Sequence, residues 1–599
     1  MLKKILIANR GEIAVRVIRT AKEMGIATVA VYSDADRGAL HVRLADEAYA
    51  LGGTTSAESY LNTAAILDAI ERSGADGVHP GYGFFSENTD FARAITDRGV
   101  AFIGPPPQAI EVMGDKVSSR IACQKAGVAM VPGTMDFLRG PDDVRAFGKE
   151  FGYPIVIKAA YGGGGRGMKV VRSGDEVDAL LASAQREAKS AFGRDEAYLE
   201  RYLTWPRHIE MQIIGDTQGN VVWVGERDCS SQRRHQKLIE ESPAPAFSQE
   251  LRVAMGEAAV KIAKAVGYYN AGTVEFIFQD GEFFFLEMNT RLQVEHPVTE
   301  MVTGIDLVEW MIRVASGETL PMTQEQVNAS RHGHAIEVRI NAENPTGGKF
   351  MPSPGTLTEF YRPDGFGVRV DAGYDVGDTV SQYYDNLIAK LVCWGKDRDT
   401  AIARTIRALR ETRISGLHTT IPADIAILSH PDFHNAVHST KWVEDRLDLS
   451  GIVSSKGDTE VPEDGRVRRD LDVEVNGKRF KVAAWVPDFA PTVVGVGASS
   501  GGASSGGAAG AGGAKPKRAA AAGGAGGAGS GNVTVPMQGT IVKILVEVGQ
   551  AVEAGAAVVV LEAMKMENQI NAEKSGTVKE VKVKTGDTVG AGDVVVVIA

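Results

Sequence analysis

Apolar residues fill positions 5–8 without a break, recur at helical spacing over 13–24, and run together again over 27–32. Solid runs of that length read as strands buried on both faces, with an amphipathic helix between them, so the chain opens as a doubly wound α/β domain. Further on, the period changes to two. Residues 272–278 alternate, Gln279-Asp280-Gly281-Glu282 makes a turn, and the run resumes as far as Asn289, which predicts a β-hairpin. Asn476-Gly477 joins two more alternating runs, 471–475 and 478–482, into a second hairpin. The final stretch repeats itself. Residues 539–561 and 576–598 superpose at one offset that matches Gly539 with Gly576, Gly549 with Gly586, Gly555 with Gly592, and the valines at 558–560 with those at 595–597. Two copies this short predict one β-sandwich with a pseudo-two-fold axis, and the segment joining them falls in an exposed hairpin.

Residues 493–531 break this patterning, being almost entirely Gly, Ala and Ser around Lys515-Pro516-Lys517-Arg518. Such a stretch buries too little apolar surface to fold, and as a flexible tether of ~40 residues it spans roughly 35 Å. Its basic cluster reads as a solubilising interruption, with a binding site as the alternative. The 599 residues leave room for about three to five domains. A net charge of −11 argues against nucleic acid as a general partner. Cys123, Cys229 and Cys393 are too few and too scattered for a disulfide framework or a zinc site, which fits a reducing compartment. The apolar start is cut off at Asn9-Arg10-Gly11-Glu12, too soon for a signal peptide, and no window approaches the ~18 to 20 apolar residues of a membrane span, so a soluble, cytoplasmic protein is expected.

The first turn, Asn9-Arg10-Gly11-Glu12, lacks the glycines that let a backbone approach a pyrophosphate, which argues against NAD or FAD. A phosphate loop comes later. Lys158 ends a strand, Gly162 to Gly165 and Gly167 follow, and a second strand starts near Met168, a glycine-rich hairpin whose bare N–H groups suit phosphate oxygens. With Lys116 upstream, Lys158, Gly163, Gly164, Gly165 and Gly167 point to ATP. Glu287 and Asn289 face one side of a strand, and the hairpin can bring Glu275 beside them, an oxygen set suited to Mg²⁺ or Mn²⁺ next to phosphates. Arg291, Gln293 and Glu295 alternate next, offering a fork-shaped cation, an amide and a carboxylate to a small planar anion such as bicarbonate. A carboxylate beside Arg291 is expected to have a lowered pKa.

At the junction of the C-terminal repeats stands Ala563-Met564-Lys565-Met566, where two exposed methionines flank a lysine. This resembles the attachment signature of biotinyl domains. The related lipoyl domain usually sets its lysine as Asp-Lys-Ala, so biotin on Lys565 is favoured, and Pro536-Met537 matches the pair that the biotinyl family carries upstream. Residues 4–447 resemble the ATP-grasp fold, more closely the biotin carboxylase component of acyl-CoA carboxylases. The match rests on His79-Pro80-Gly81-Tyr82-Gly83-Phe84, on the segment 227–237, and on Glu287-Met288-Asn289-Thr290-Arg291-Leu292-Gln293-Val294-Glu295-His296-Pro297. Both ends in this order resemble the α chain of bacterial acetyl- or propionyl-CoA carboxylases.

The resemblance implies a three-part α/β ATP-grasp biotin carboxylase module, a flexible Gly/Ala linker and an all-β barrel-sandwich carrier. Residues 1–114 would form the N-terminal domain, 115–203 the ATP-grasp linker and lid, 204–448 the remaining ATP-grasp and C-terminal carboxylase domain, 449–492 a hairpin connector, 493–531 the linker and 532–599 the biotin carboxyl carrier. It implies that Glu200, Arg201 and Leu203 meet the adenine and that His208, Gln232 and His235 line the ribose and phosphates. Lys237 and the Val294 backbone join Arg291, Gln293 and Glu295 around bicarbonate, with Glu295 as general base. Bicarbonate would attack the ATP γ-phosphorus to give carboxyphosphate, and Arg339 would steady the enolate-like oxyanion of biotin. Arg339 pairing only with Glu337 or Glu343 is the alternative. No region resembles a carboxyltransferase, which implies a separate β subunit, alongside a biotin protein ligase and self-association of α chains. The acceptor is acetyl-CoA or propionyl-CoA in this reading; methylcrotonoyl-CoA, geranoyl-CoA and pyruvate α chains, or a non-catalytic biotin or lipoyl carrier, are the alternatives. Ser231 and the short middle region depart from the family pattern, and the latter leaves the mode of partner contact open.

Overall fold

The computed structural model describes residues 1–134, 136–159, 168–192, 194–457, 466–475, 478–487, 531–535, 539–563, 566–590 and 592–599. They divide into two compact units, Met1–Lys456 and Gly457–Ala599.

The first unit opens on a five-stranded parallel sheet in the order Glu47–Ala50, Ala27–Tyr32, Lys4–Ile7, Gly77–His79 and Ala101–Phe102. Ile5, Leu6 and Ile7 are fully buried, as the unbroken apolar run requires of a strand covered on both faces. The chain order reverses beside Lys4–Ile7, so the turn at Asn9 opens at the switch point where α/β sheets usually take a ligand. Here side chains occupy it. Asn9 Nδ2 donates to the carbonyls of Pro80 and Tyr82, 2.8 Å each, and Arg10 forks onto Asp36.

A three-stranded sheet, Lys169–Val171, Ile155–Ala159 and Ala197–Arg201, packs under helices Pro141–Phe151 and Val177–Phe192. Its first two strands pair antiparallel, as expected of a hairpin; the loop glycines Gly163, Gly164, Gly165 and Gly167 lie outside the described residues. The largest sheet is antiparallel and has eight strands, Glu282–Asn289, Asn270–Gln279, Arg207–Gly215, Val221–Arg233, Gln236–Ser242, His334–Asn341, Leu387–Gly395 and Val368–Ala372, in that spatial order. Every residue of Arg207–Gly215 is buried, polar ones included.

In the second unit, Arg466–Val475 pairs with Lys478–Pro487, a longer ladder than the alternation around Asn476-Gly477 showed. Residues 531–599 form two four-stranded sheets. Strand Gly539–Ile544 of the first repeat pairs with Thr588–Val589 of the second, and Ala551–Val552 of the first with Gly576–Val581 of the second, so neither copy closes its sheet alone. The repeat reaches the backbone angles. Gly549 and Gly586 sit at φ 94° and 95°, and Gly555 and Gly592 at 90° and 89°. Val558, Val559, Leu561, Val595 and Val596 make a closed apolar core. Strands Ala557–Ala563 and Met566–Asn571 pair as far as Ala563 with Met566. Met564 and Lys565, which join them, lie outside the described residues, as do Pro536, Met537 and residues 493–530. Among the described residues no helix is long and apolar enough to cross a membrane.

Candidate active site

Cross-strand partners share a face of a sheet, and on the eight-stranded sheet the partners line up as a charged row. Glu287 lies opposite Glu275, Glu275 opposite Glu210, and Glu210 opposite Arg227. Three carboxylates side by side would repel one another without cations. Lys237, entering from strand Gln236–Ser242, donates from Nζ to Glu210 Oε2 at 2.7 Å, Glu275 Oε1 at 3.2 Å and Glu295 Oε1 at 2.6 Å. Arg227, fully buried, closes the far end on Glu210 and on Gln212, Thr273 and Thr299. Arg339 donates to Glu240 at 2.6 Å and to Glu295 at 2.8 Å, so Glu295 lies between two cations. Among the described residues Arg339 pairs with these two carboxylates and not with Glu337 or Glu343.

Residues 291–295 are not the strand that their alternation suggested. They form a bend and a turn, because the chain must enter helix His296–Thr303, where Pro297 sits in the first turn. The side chains nonetheless converge by bonding. Arg291 donates to Glu87 at 2.9 Å, Asn289 at 2.8 Å and Gln293 at 2.9 Å, and Gln293 and Asn289 donate to Glu275 at 3.0 and 2.8 Å. Glu295 caps the helix only by position, with no side-chain cap bond, which leaves its carboxylate to Lys237 and Arg339.

Burial alone would raise the Glu295 carboxyl, but Lys237, Arg339 and Arg227 outweigh it and hold it well below the usual range. The expected lowering thus comes chiefly from these three and not from Arg291. Glu275 is lowered likewise, against burial, by Lys237 and His208, whose Nε2 is 3.0 Å from Glu275 Oε2. Burial would lower Lys237, but Cys229 and the carboxylates push it well up. Glu287 moves the other way, raised by desolvation and by the negative charge of Glu275. A carboxylate crowded by another, with His208 and Lys237 compensating it only in part, fits a divalent ion. Asn289 Oδ1 accepts from Arg291, so Glu275 and Glu287 are the oxygens best placed to hold Mg²⁺ or Mn²⁺ in this arrangement.

The residues expected beside the nucleotide make separate contacts. Glu200, buried, accepts from Arg120 at 3.1 Å and from Lys158, so its carboxylate is engaged by two cations. Arg201 donates to Glu282 at 3.0 Å, and the Leu203 carbonyl accepts from Lys441 at 3.2 Å. Gln232 is buried and donates to the Cys229 carbonyl at 3.1 Å. His235 is exposed in a two-residue turn with Arg234, at φ 65° and 47°. Positive φ at both positions is what a two-residue hairpin between Arg233 and Gln236 requires. Lys116 opens helix Lys116–Lys125, and its side chain lies outside the described residues.

Sequence reading passed over Glu210, Arg227, Glu240 and Glu87. The signal for Glu210 was present: His208, Glu210 and Gln212 recur at period two inside an otherwise apolar strand and are all buried on one face. Glu87 gives no such sign, since only the fold brings its loop to Arg291.

Four stretches match known families. Residues 1–110 match the biotin carboxylase N-terminal domain, 115–323 the ATP-binding domain of the carbamoyl-phosphate synthase L chain, 337–445 the biotin carboxylase C-terminal domain, and 531–598 the family described as biotin-requiring enzyme. The chain is 48% identical over 581 residues, 96% of its length and 94% of the relative's, to the biotin-dependent acyl-coenzyme A carboxylase alpha3 subunit of Mycobacterium leprae. Among solved structures it is similar to a Campylobacter jejuni biotin carboxylase–ATP complex, with TM-score 0.69 and 48% identity over 74% of this chain and 98% of that one. It is similar also to the biotin carboxylase domain dimer of Hydrogenobacter thermophilus 2-oxoglutarate carboxylase, in complex with MgADP, ADP and bicarbonate, with TM-score 0.69 and 47% identity over 76% and 99% of the two chains. ATP and covalent biotin are accordingly its cofactors. The chain belongs to the biotin-dependent carboxylases, as an α subunit that unites a biotin carboxylase with its own biotin carrier domain.

Proposed function

We propose that this chain uses ATP and bicarbonate to carboxylate biotin held on Lys565 of its own C-terminal domain, and delivers the carboxyl group to a separate carboxyltransferase β subunit acting on acetyl-CoA or propionyl-CoA. The observation that carries the reading is Glu295 held between Lys237 and Arg339, next to Gln293 and the Glu275–Glu287 pair. Arg291 and Gln293 orient bicarbonate. Glu295, ionised at neutral pH, accepts its proton as the bond from a bicarbonate oxygen to the γ-phosphorus forms and ADP departs. Lys237 meets the charge gathering on the phosphoryl group, while Lys158, Lys116 and the glycines 163–165 and 167 hold the nucleotide. Glu200, Arg201, Leu203, His208, Gln232 and His235 position its base and ribose. Arg339 supplies positive charge on the side where the carboxyl acceptor enters. Glu275 and Glu287, with Asn289 beside them, would hold the metal, which would offset phosphate charge, and biotin would supply the nitrogen that takes up the carboxyl group as phosphate leaves with that nitrogen's proton.

The acyl-CoA assignment is supported by the name of the M. leprae relative, whose match runs over nearly the whole chain. The tether turns delivery into an encounter at an effective concentration of order millimolar. A biotin protein ligase must load Lys565, and α chains are expected to self-associate. The test is ATP hydrolysis by the full chain with and without bicarbonate and free biotin, followed by acyl-CoA carboxylation with a β subunit. Hydrolysis that ignores bicarbonate overturns the reading; carboxylation of methylcrotonoyl-CoA, geranoyl-CoA or pyruvate in place of acetyl-CoA and propionyl-CoA overturns only the acceptor.

A further inference from the structure

The segment His79-Pro80-Gly81-Tyr82-Gly83-Phe84 has no part in the carboxylate network above, yet a chain of polar contacts leads from it to that network. Asn9 holds its backbone, and the Tyr82 hydroxyl donates to the Glu12 carboxylate. Glu12 Oε1 lies 3.1 Å from Lys390 Nζ. Lys390 Nζ in turn donates to the Val294 carbonyl at 2.8 Å. Both members of the ion pair are buried, Lys390 completely. Lys390 stands in strand Leu387–Gly395 directly opposite Arg339, so the two cations rise from the same face of the sheet.

Buried ion pairs add little stability over well-packed apolar residues, so stability is a poor reason for an ammonium at this depth. Its place is informative. Val294 lies between Gln293, which donates to Glu275, and Glu295, which accepts from Lys237 and Arg339. A peptide unit is planar, so anchoring the Val294 carbonyl also fixes the amide and Cα of Glu295. The turn at 291–295 has no ladder of strand hydrogen bonds to hold it, and Lys390 supplies one fixed point from the sheet beneath.

We propose that Lys390 is a positioning residue for carboxylation: through the Val294 carbonyl, and backed by Glu12 and Tyr82, it sets the turn at which bicarbonate and the Glu295 carboxylate meet. The proposal rests on the bicarbonate site assigned above, and the control separates the two, because an unaltered chain without bicarbonate-dependent ATP hydrolysis disproves that site before any variant is compared. The test is steady-state kinetics of the full chain with free biotin, for Lys390→Met, Glu12→Gln and the double variant Glu12→Gln/Lys390→Met, each with its melting curve. Lys390→Met is expected to raise the KM for bicarbonate about tenfold or more, with the KM for ATP within about twofold. Glu12→Gln leaves the bond to Val294 in place and is expected to change the bicarbonate KM by less than about threefold. The double variant removes both charges together, folds, and keeps the bicarbonate defect. If it instead recovers the parent's KM for bicarbonate, Lys390 serves only to neutralise Glu12 and the proposal fails. It fails equally if Lys390→Met shifts both KM values together, or if the double variant does not fold.

Discussion

In the carrier domain every buried side chain among the described residues is apolar, from Val533 to Ile598, whereas one sheet face of the N-terminal unit buries Glu210, Arg227, Glu240, Glu275 and Glu295 together. The carrier gains its fold from moving valine surface out of water, a non-directional effect that depends on no single partner. The carboxylating face is held by mutual neutralisation, and losing one member leaves the others buried and uncompensated. In the proposed function the carrier's chemistry rests on one residue, Lys565, while that of the carboxylase is spread over several strands of the sheet.

The comparison is broken most sharply by Lys565→Arg. Intact mass after coexpression with a biotin ligase is expected to show complete loss of the adduct, while ATP hydrolysis stimulated by free biotin continues unchanged. Glu295→Gln should do the reverse, leaving biotin on Lys565 but lowering bicarbonate-dependent turnover by about 10²- to 10⁴-fold.

Proton concentration separates the units more gently. Glu275 and Glu295 have folded pKa values below the ordinary 4.5, so the stability they contribute is present above that value and is lost as pH falls through their folded values. Glu240 has the opposite sign. Burial, with Glu295 nearby and Arg339 opposing, raises it to about 7, so its ionisation lowers stability as pH rises from 4.5 toward that value. Calorimetry of Glu240→Gln should show the transition of the N-terminal unit gaining on the parent across this window and the carrier transition unmoved; a pH-independent difference would refute the assignment. The smallest effect tests the repeat. Gly549→Ala and Gly586→Ala meet no atom within 4 Å but force φ near 95° on a residue with a Cβ, so each should cost about 1 kcal/mol and the two should match.

How far the sequence could be read follows the same division. The carrier was legible because its two copies report on each other, down to glycines with equal φ. The hairpin that brings Glu275 beside Glu287 was legible because a hairpin is local, but the pairing itself depends on a register shift between Glu275 and Phe276 that the turn does not announce. The alternation of Arg291, Gln293 and Glu295 is real but does not make a strand, since the following helix decides the backbone. Arg227 stood in the segment 227–237 without a role, although its partner Glu210 is on the preceding strand, whereas Glu240 and Glu87 went unseen because Arg339 and Arg291 lie on elements distant in sequence. Lys390 is the extreme case: it reaches Val294 across 96 positions and Glu12 across several times that, and no spacing announces either.

The ammonium of Lys237 has three hydrogens and three carboxylate acceptors, Glu210, Glu275 and Glu295. Its donors are fully subscribed at rest. In the proposed function a phosphate oxygen would reach this ammonium only by exchange, and Glu275, at 3.2 Å the most distant of the three, is the acceptor that such an exchange would displace first. Its Oε1 would keep the bonds from Asn289 and Gln293, so one side chain's valence would be spent without stripping the carboxylate of partners.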